Sequence, residues 1–328
     1  MTKKIKLGIP IHKGAVQWGH IEKKMMMEEF DVVHNLDKAD IIFFWNTVVD
    51  TSVDLKKCFV FAQESPLTSH RRWIYANPEL FHTAVFHDPE GENQLRFSDN
   101  PSVFPWVPTE GRDLHREDTT ITDRIVFYAG ARKSDNYKKV IDNFDTIILC
   151  TPRNKMVSLL SKYPNVRIYG LGWEPKINAI CGKSTRLFDK KLIKPDEGGN
   201  WRIAKIEDVN DCNADFHLCI ENCYQRNLVT DHFHDGFTSD RVVLYLGCKN
   251  IEDYVPTDCF VDLRPYFDTK KKELDVKKVM EIVDNMTQEE YDKILNNARA
   301  WRKSIVGKYK EESIKFTKRL IERIKCKH

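Results

Sequence analysis

The chain has 328 residues, 41% of them apolar and 31% charged, enough to fill more than one core and ordinary for a protein that folds in water. Lys and Arg number 52 against 49 Asp and Glu, so no global field favours nucleic acid, whereas a phosphate-bearing small molecule needs only two or three placed cations. No apolar run approaches the ~20 residues that span a bilayer, and the opening residues 1–10 are charged and interrupted, unlike a secretory signal. The nine cysteines are odd in number and scattered, which reads as reduced thiols in a cytoplasmic protein, soluble or peripherally bound to a membrane.

In chain order, Lys4–Ile9 alternates as a first strand, and Gly19–Phe30, carrying Met25, Met26 and Met27, is suited to a helix. Asp31–Val33, Asp40–Trp45, Lys57–Phe61 and Thr83–Phe86 follow as strands, the wholly apolar ones reading as buried on both faces. From Asn100 to Thr122 the pattern gives way to Pro101, Pro105, Pro108 and a polar run, which places a domain boundary within 110–124. A second series opens with strands at Arg124–Tyr128 and Thr146–Leu149, a helix over Arg153–Tyr163 and a strand at Val166–Tyr169. Cys181–Trp201, basic and glycine-containing, reads as a long loop. Strands follow at Phe216–Ile220, Val242–Leu246 and Phe260–Leu263, with a helix at Thr230–Thr238 between the first two. From Asp275 onward the chain reads as helical throughout: Val276, Val279, Ile282 and Val283 keep helical spacing, as do Ile314, Leu320, Ile321 and Ile324.

Strands interleaved with helices predict an α/β protein with parallel sheets, here two Rossmann-like domains facing a cleft, where ligands bind at strand ends. The expected division is 1–120, 121–305 and a C-terminal helix at 306–328, which packs back on the first domain or lies on a membrane surface. Two nucleotide motifs fail. Gly182-Lys183-Ser184 ends like a phosphate loop, but Ile177 stands where the earlier glycine is required, and Gly170-Leu171-Gly172 lacks the third glycine of a dinucleotide fingerprint. Cys219, Cys223, His232 and His234 are zinc-ligand types at no common zinc spacing, and read as core cysteines and surface histidines.

The most informative stretch is Phe216-His217-Leu218-Cys219-Ile220-Glu221-Asn222-Cys223-Tyr224, followed by Leu228-Val229-Thr230-Asp231-His232. It resembles the signature of the α-1,3/4-fucosyltransferases, glycosyltransferase family 10, in which Phe-x-Leu-x-Phe-Glu-Asn-Ser leads to Tyr-Val-Thr-Glu-Lys. Downstream, the apolar run Val242–Leu246 ending in Gly247, then Tyr254-Val255-Pro256 and Phe260-Val261-Asp262, resemble further pieces of that family. So do Pro152-Arg153-Asn154 ahead of Tyr169-Gly170, and Glu64-Ser65-Pro66 after a strand. The resemblance covers about half of the chain.

It implies a GT-B type enzyme, two Rossmann-like domains with a helical tail, that moves a fucosyl residue from GDP-fucose to a hydroxyl of a glycan acceptor with inversion. It implies no cofactor and no obligatory metal, in keeping with the lack of any Asp-x-Asp pair. The expected partners are a GDP-sugar and an oligosaccharide, with no nucleic acid and with peripheral membrane contact through the last helix. In this scheme Glu64 is the general base for the acceptor hydroxyl. Arg153, a permanent cation with a bidentate fork, clamps the diphosphate. Glu221 and Asn222 leave an apolar strand to meet the donor, Leu228 and Val229 line it, and Thr230 caps a helix whose N–H groups suit phosphate. Asp231 and His232 stand for the family's Glu-Lys, Leu228 for its Tyr and Cys223 for its Ser. Those departures keep open a different nucleotide sugar, or a catalytically silent nucleotide- or glycan-binding module.

Overall fold

The strands Ile41–Trp45, Cys58–Phe61 and Val242–Leu246 form where the chain is apolar over four or more residues, and their parallel pairing explains why such runs do not alternate. In the computed structural model the described residues are 4–9, 20–45, 49, 51–61, 73–74, 77–86, 92, 94–96, 98, 123–128, 146–169 and 214–326. They belong to two compact units, Met1–Pro105 together with Gly307–His328, and Trp106–Val306.

In the first unit the elements are β1 (Lys6–Gly8), α1 (His20–Glu29), β2 (Asp31–Val33), β3 (Ile41–Trp45), β4 (Cys58–Phe61), β5 (Thr83–Phe86) and β6 (Gln94–Arg96). The sheet runs β2-β1-β3-β4-β5-β6, with every neighbouring pair parallel. Ile41 to Phe44 and Cys58 to Phe61 are all buried, as expected for strands covered on both faces. β6 is the strand that composition does not announce. Gln94-Leu95-Arg96 lies at the end of the described sheet, and its pairing with β5 is a matter of backbone bonds rather than of an apolar run.

The second unit contains β7 (Asp123–Tyr128), β8 (Ile147–Ile148), α2 (Cys150–Leu160), β9 (Val166–Tyr169), β10 (Ala214–Ile220), β11 (Cys223–Tyr224) and α3 (Asp231–Thr238). It continues with β12 (Val242–Leu246), β13 (Val261–Asp262), β14 (Phe267–Asp268), β15 (Glu273–Leu274), α4 (Val276–Asn285) and α5 (Gln288–Lys325). Its sheet is β13-β12-β10-β7-β9, again parallel throughout. Ile125, Phe127, Phe216, Leu218, Val242 and Leu244 from the sheet form one core with Met156, Val157 and Leu160 of α2 and Val276, Val279 and Val283 of α4.

Two expectations shift. The helix placed at 153–163 begins at Cys150 and ends at Leu160, because Ser161 to Asn165 turn the chain into β9. The tail is not one helix: α4 stops at Asn285, Met286 is extended, and a new helix starts. A capping box makes the restart, with the Thr287 N–H donating to Glu290 Oε2 (2.9 Å) and the Glu290 N–H donating to Thr287 Oγ1 (3.3 Å).

The last part of α5 belongs to the first unit. Phe316, Leu320, Ile321 and Ile324 are buried there, and the Phe316 ring meets Phe61 edge-on at 5.7 Å. Ser98 donates to Glu312 at 2.7 Å, Arg323 donates to Thr83 Oγ1 at 3.2 Å and to the Glu92 carbonyl, and Lys325 pairs with Glu29. Among the described residues no helix is long and apolar enough to cross a membrane.

Candidate functional site

Within the second unit the chain lays down β7, adds β9 on one side, and then crosses to add β10 and β12 on the other. The carboxyl ends of β7 and β10 therefore flank a topological switch point, the usual ligand position in an open parallel sheet. Glu221 and Asn222 are the two residues that leave β10 at that end.

Glu221 is completely buried. Its backbone N–H continues the sheet by donating to the Leu246 carbonyl (2.9 Å). Its carboxylate receives Thr230 twice: the Thr230 N–H at Oε1 (2.9 Å) and the Thr230 hydroxyl at Oε2 (2.6 Å). Thr230 is in turn the N-cap of α3, and its Oγ1 accepts the His232 N–H at 3.3 Å. One carboxylate thus ties the end of β10 to the start of α3, nine residues later in the chain.

Asn222 is half-buried, and its Oδ1 accepts from the Arg153 guanidinium at 3.0 Å. The same guanidinium nitrogen donates to the Ile220 carbonyl at 3.2 Å, and Arg153 as a whole is only 1% exposed. The Asn222 carbonyl accepts the Leu149 N–H at 2.9 Å, just ahead of α2. The sequence assigns Arg153 to a diphosphate; in the structure its charge is directed at the loop after β10, and it fixes Asn222.

The connection from β11 to α3 is fastened a second time. Asn227 takes the left-handed conformation (φ 58°), which asparagine tolerates better than most residues. Its N–H donates to Asn250 Oδ1 (2.9 Å), and its Oδ1 accepts from Asn250 Nδ2 (2.7 Å) and from the Tyr254 hydroxyl (2.8 Å). Leu228 and Val229 are each 1% exposed, so they fill the core under this loop. Asp231 opens α3, with only its backbone described, and His232 is half-buried in the first turn. α3 is held to the sheet by Phe233, whose ring meets Tyr245 at 4.5 Å, Phe237 at 4.8 Å and Phe260 at 5.6 Å.

Two members of this cluster, Asn227 and Asn250, escape a reading by motif, whereas Tyr245 and Tyr254 stand in stretches that the family resemblance includes without giving them a role. The Tyr245 hydroxyl accepts the Cys248 N–H at 2.9 Å, and burial together with the Glu221 charge raises its pKa well above that of an ordinary phenol. Burial likewise pushes the Cys248 thiol up to about 11. Gly247 is where the cluster is tightest: a Cβ there would overlap Glu221 Cγ and lie 2.7 Å from Tyr245 Oη. The sequence signal for the two asparagines is weak, because each follows a basic residue, Arg226 or Lys249, as a surface asparagine would.

Other candidates fall elsewhere. Glu64, the expected base, lies outside the described residues, as do the 110–124 boundary up to Thr122, the 181–201 loop and the failed phosphate-loop motif. The histidines of the Cys219, Cys223, His232, His234 group are not both at the surface. His234 is 3% exposed and stacks on Trp301 (centroids 6.1 Å apart, 7° between planes), because α3 lies between the sheet and α5. Among the described residues no three His, Cys, Asp or Glu side chains are grouped to hold a metal ion. His217, on β10, has its pKa lowered to about 3 by burial first and then by the positive charge of Arg241 and the neighbouring His232, so it is a neutral imidazole near pH 7.

No family model matches the chain, and no curated protein matches its sequence. Solved structures do. A crystal structure of an α1,3-fucosyltransferase with GDP aligns over 93% of this chain and 90% of that one, at 13% identity and a TM-score of 0.50. Two further α1,3-fucosyltransferase crystal structures give TM-scores of 0.48 at 14% identity, over 93% of this chain and 90% of that one, and, with GDP-fucose, 0.46 at 12% identity, over 93% and 92%. At 13% identity the first likeness establishes the fold. The chain has two parallel-sheet α/β units and a C-terminal helix, in the architecture of that fucosyltransferase.

Proposed function

We propose that the chain is a glycosyltransferase that draws a sugar from a GDP-sugar, GDP-fucose by its sequence resemblance, and joins it to a hydroxyl of a glycan. The observation that carries this reading is the gathering of Asn222, held by Arg153, and the capped first turn of α3 at the carboxyl end of β10. A diphosphate suits that place because the first turn of a helix presents N–H groups and the positive end of its dipole. Asn222 offers both a donor and an acceptor to sugar or ribose hydroxyls. His232, in the same turn, adds a cation when protonated.

In the single displacement expected, the acceptor oxygen attacks the anomeric carbon, its proton passes to Glu64, and the bond to the diphosphate breaks on the opposite face, inverting the centre. GDP leaves with the negative charge that α3 receives. The reaction is expected to need no metal and to persist in EDTA. Titration calorimetry with GDP-, UDP- and dTDP-sugars tests the donor: tight binding of the GDP-sugars alone supports the reading, and binding of none removes it. Glu64→Ala is expected to abolish transfer while the donor Kd stays within about twofold; unchanged turnover takes Glu64 out of the mechanism.

One observation favours a second reading, transfer from another nucleotide sugar. Leu228 is buried and brings neither ring nor hydroxyl to a ligand at the position where the fucosyltransferase signature has Tyr. The same titration decides between the two.

A further inference from the structure

Glu221 stands in a motif read as ligand-binding, yet its surroundings do not leave it to a ligand. A carboxylate with no exposure is costly to bury and persists only where donors answer it. Here both oxygens are answered by Thr230, through its N–H and its hydroxyl. The methylenes of Glu221 lie where a side chain at position 247 would be, so Gly247 leaves them the room they occupy. On the far side Thr230 Oγ1 accepts the His232 N–H, the first-turn amide of α3. Asn250 and Tyr254 hold Asn227 three residues upstream, so the segment entering α3 is anchored at both of its ends.

We propose that Glu221 is a positioning residue: it does not touch the donor but acts through Thr230, setting the first turn of α3 in the geometry that receives a nucleoside diphosphate. This rests on the functional reading above for the identity of the ligand, and on the structure alone for the clamp. A buried charge-assisted clamp keeps the first turn in place before ligand arrives, so binding does not have to order it.

The test combines amide exchange with GDP titration in the full-length protein. Glu221→Met keeps the length of the side chain and removes both acceptors. It is expected to speed exchange of the His232 amide about tenfold, leave amides of β12 unchanged, and weaken GDP about tenfold. Thr230→Ser, which keeps the hydroxyl, is expected to lose less than Thr230→Val in both readouts. Thr230→Val weakens GDP, and in the double variant Glu221→Met, Thr230→Val the two losses do not multiply, because both break one chain of bonds. Losses that multiply would mean that Glu221 meets the ligand itself and would overturn the proposal, as would unchanged His232 exchange in Glu221→Met. Should Glu221→Met not fold, Glu221→Gln, which keeps one acceptor for the Thr230 N–H, must show a smaller change in the same direction. A wild-type chain that binds no GDP overturns the nucleotide part together with the functional reading, while the exchange measurement still decides whether the clamp exists.

Discussion

Two single residues carry consequences that can be measured apart from any activity. At Gly247 a methyl group would overlap Glu221 and crowd Tyr245, both buried and unable to retreat into solvent. Gly247→Ala is expected to cost about 1–3 kcal/mol in urea unfolding, the usual range for overpacking a filled interior. His217 gives a pH dependence. Its pKa is near 3 when folded, through burial and then the charges of Arg241 and His232, and about 6.5 when the chain unfolds. Between those values the unfolded chain binds the extra proton, so stability is complete above about pH 6.5 and is lost as pH falls toward 3. The slope from this group reaches about 1.4 kcal/mol per pH unit. His217→Leu is expected to flatten unfolding curves collected from pH 6.5 down to pH 5 by up to that amount; an unchanged slope would assign the acid sensitivity to other groups.

Elements in this chain start and stop for local reasons. α4 begins where Asp275 accepts the Lys278 N–H at 3.0 Å, and this cap is exposed. Asp275→Ala is expected to lower stability by about 1 kcal/mol without altering the apolar face of α4, a loss visible in the thermal midpoint. The Thr287–Glu290 box that restarts the helix has the Thr-x-x-Glu pattern of a helix start, which a reading of the tail by apolar spacing passes over. Apolar spacing alone runs the two helices together, because periodicity marks a buried face and says little about where a helix ends. The short pairs β8 with β11 and β14 with β15 have the opposite character. Each strand is two residues long, too short for its pairing to be marked by an apolar run.

At the scale of the molecule the chain closes on itself. The final stretch of α5, from Gly307, is part of the first unit, and four of its large apolar side chains are buried there. Each such side chain is worth about 1.5–3 kcal/mol when removed from water. Deleting residues 307–328 is therefore expected to lower the unfolding midpoint of the first unit and to expose Phe61, whose ring meets Phe316. Differential scanning calorimetry with a dye that binds apolar surface would show both effects, and an unaltered trace would mean that the tail only rests on a finished core. Partners such as Thr83 and Arg323, 240 residues apart, lie beyond any pattern read along the chain.

The amino-acid order was sufficient for the class of fold, for most strands and helices, and for the stretch around Glu221 and Asn222, because each depends on which side chains leave water over a few consecutive residues. The tertiary structure alone decided that Arg153 turns to Asn222, that Glu221 spends its charge on Thr230, and that His234 lies under Trp301. A polar group removed from water must find a partner, but the sequence near it does not say which one; that follows from the pairing of β10 with β7 on the side away from β9 and from the return of the chain through α3.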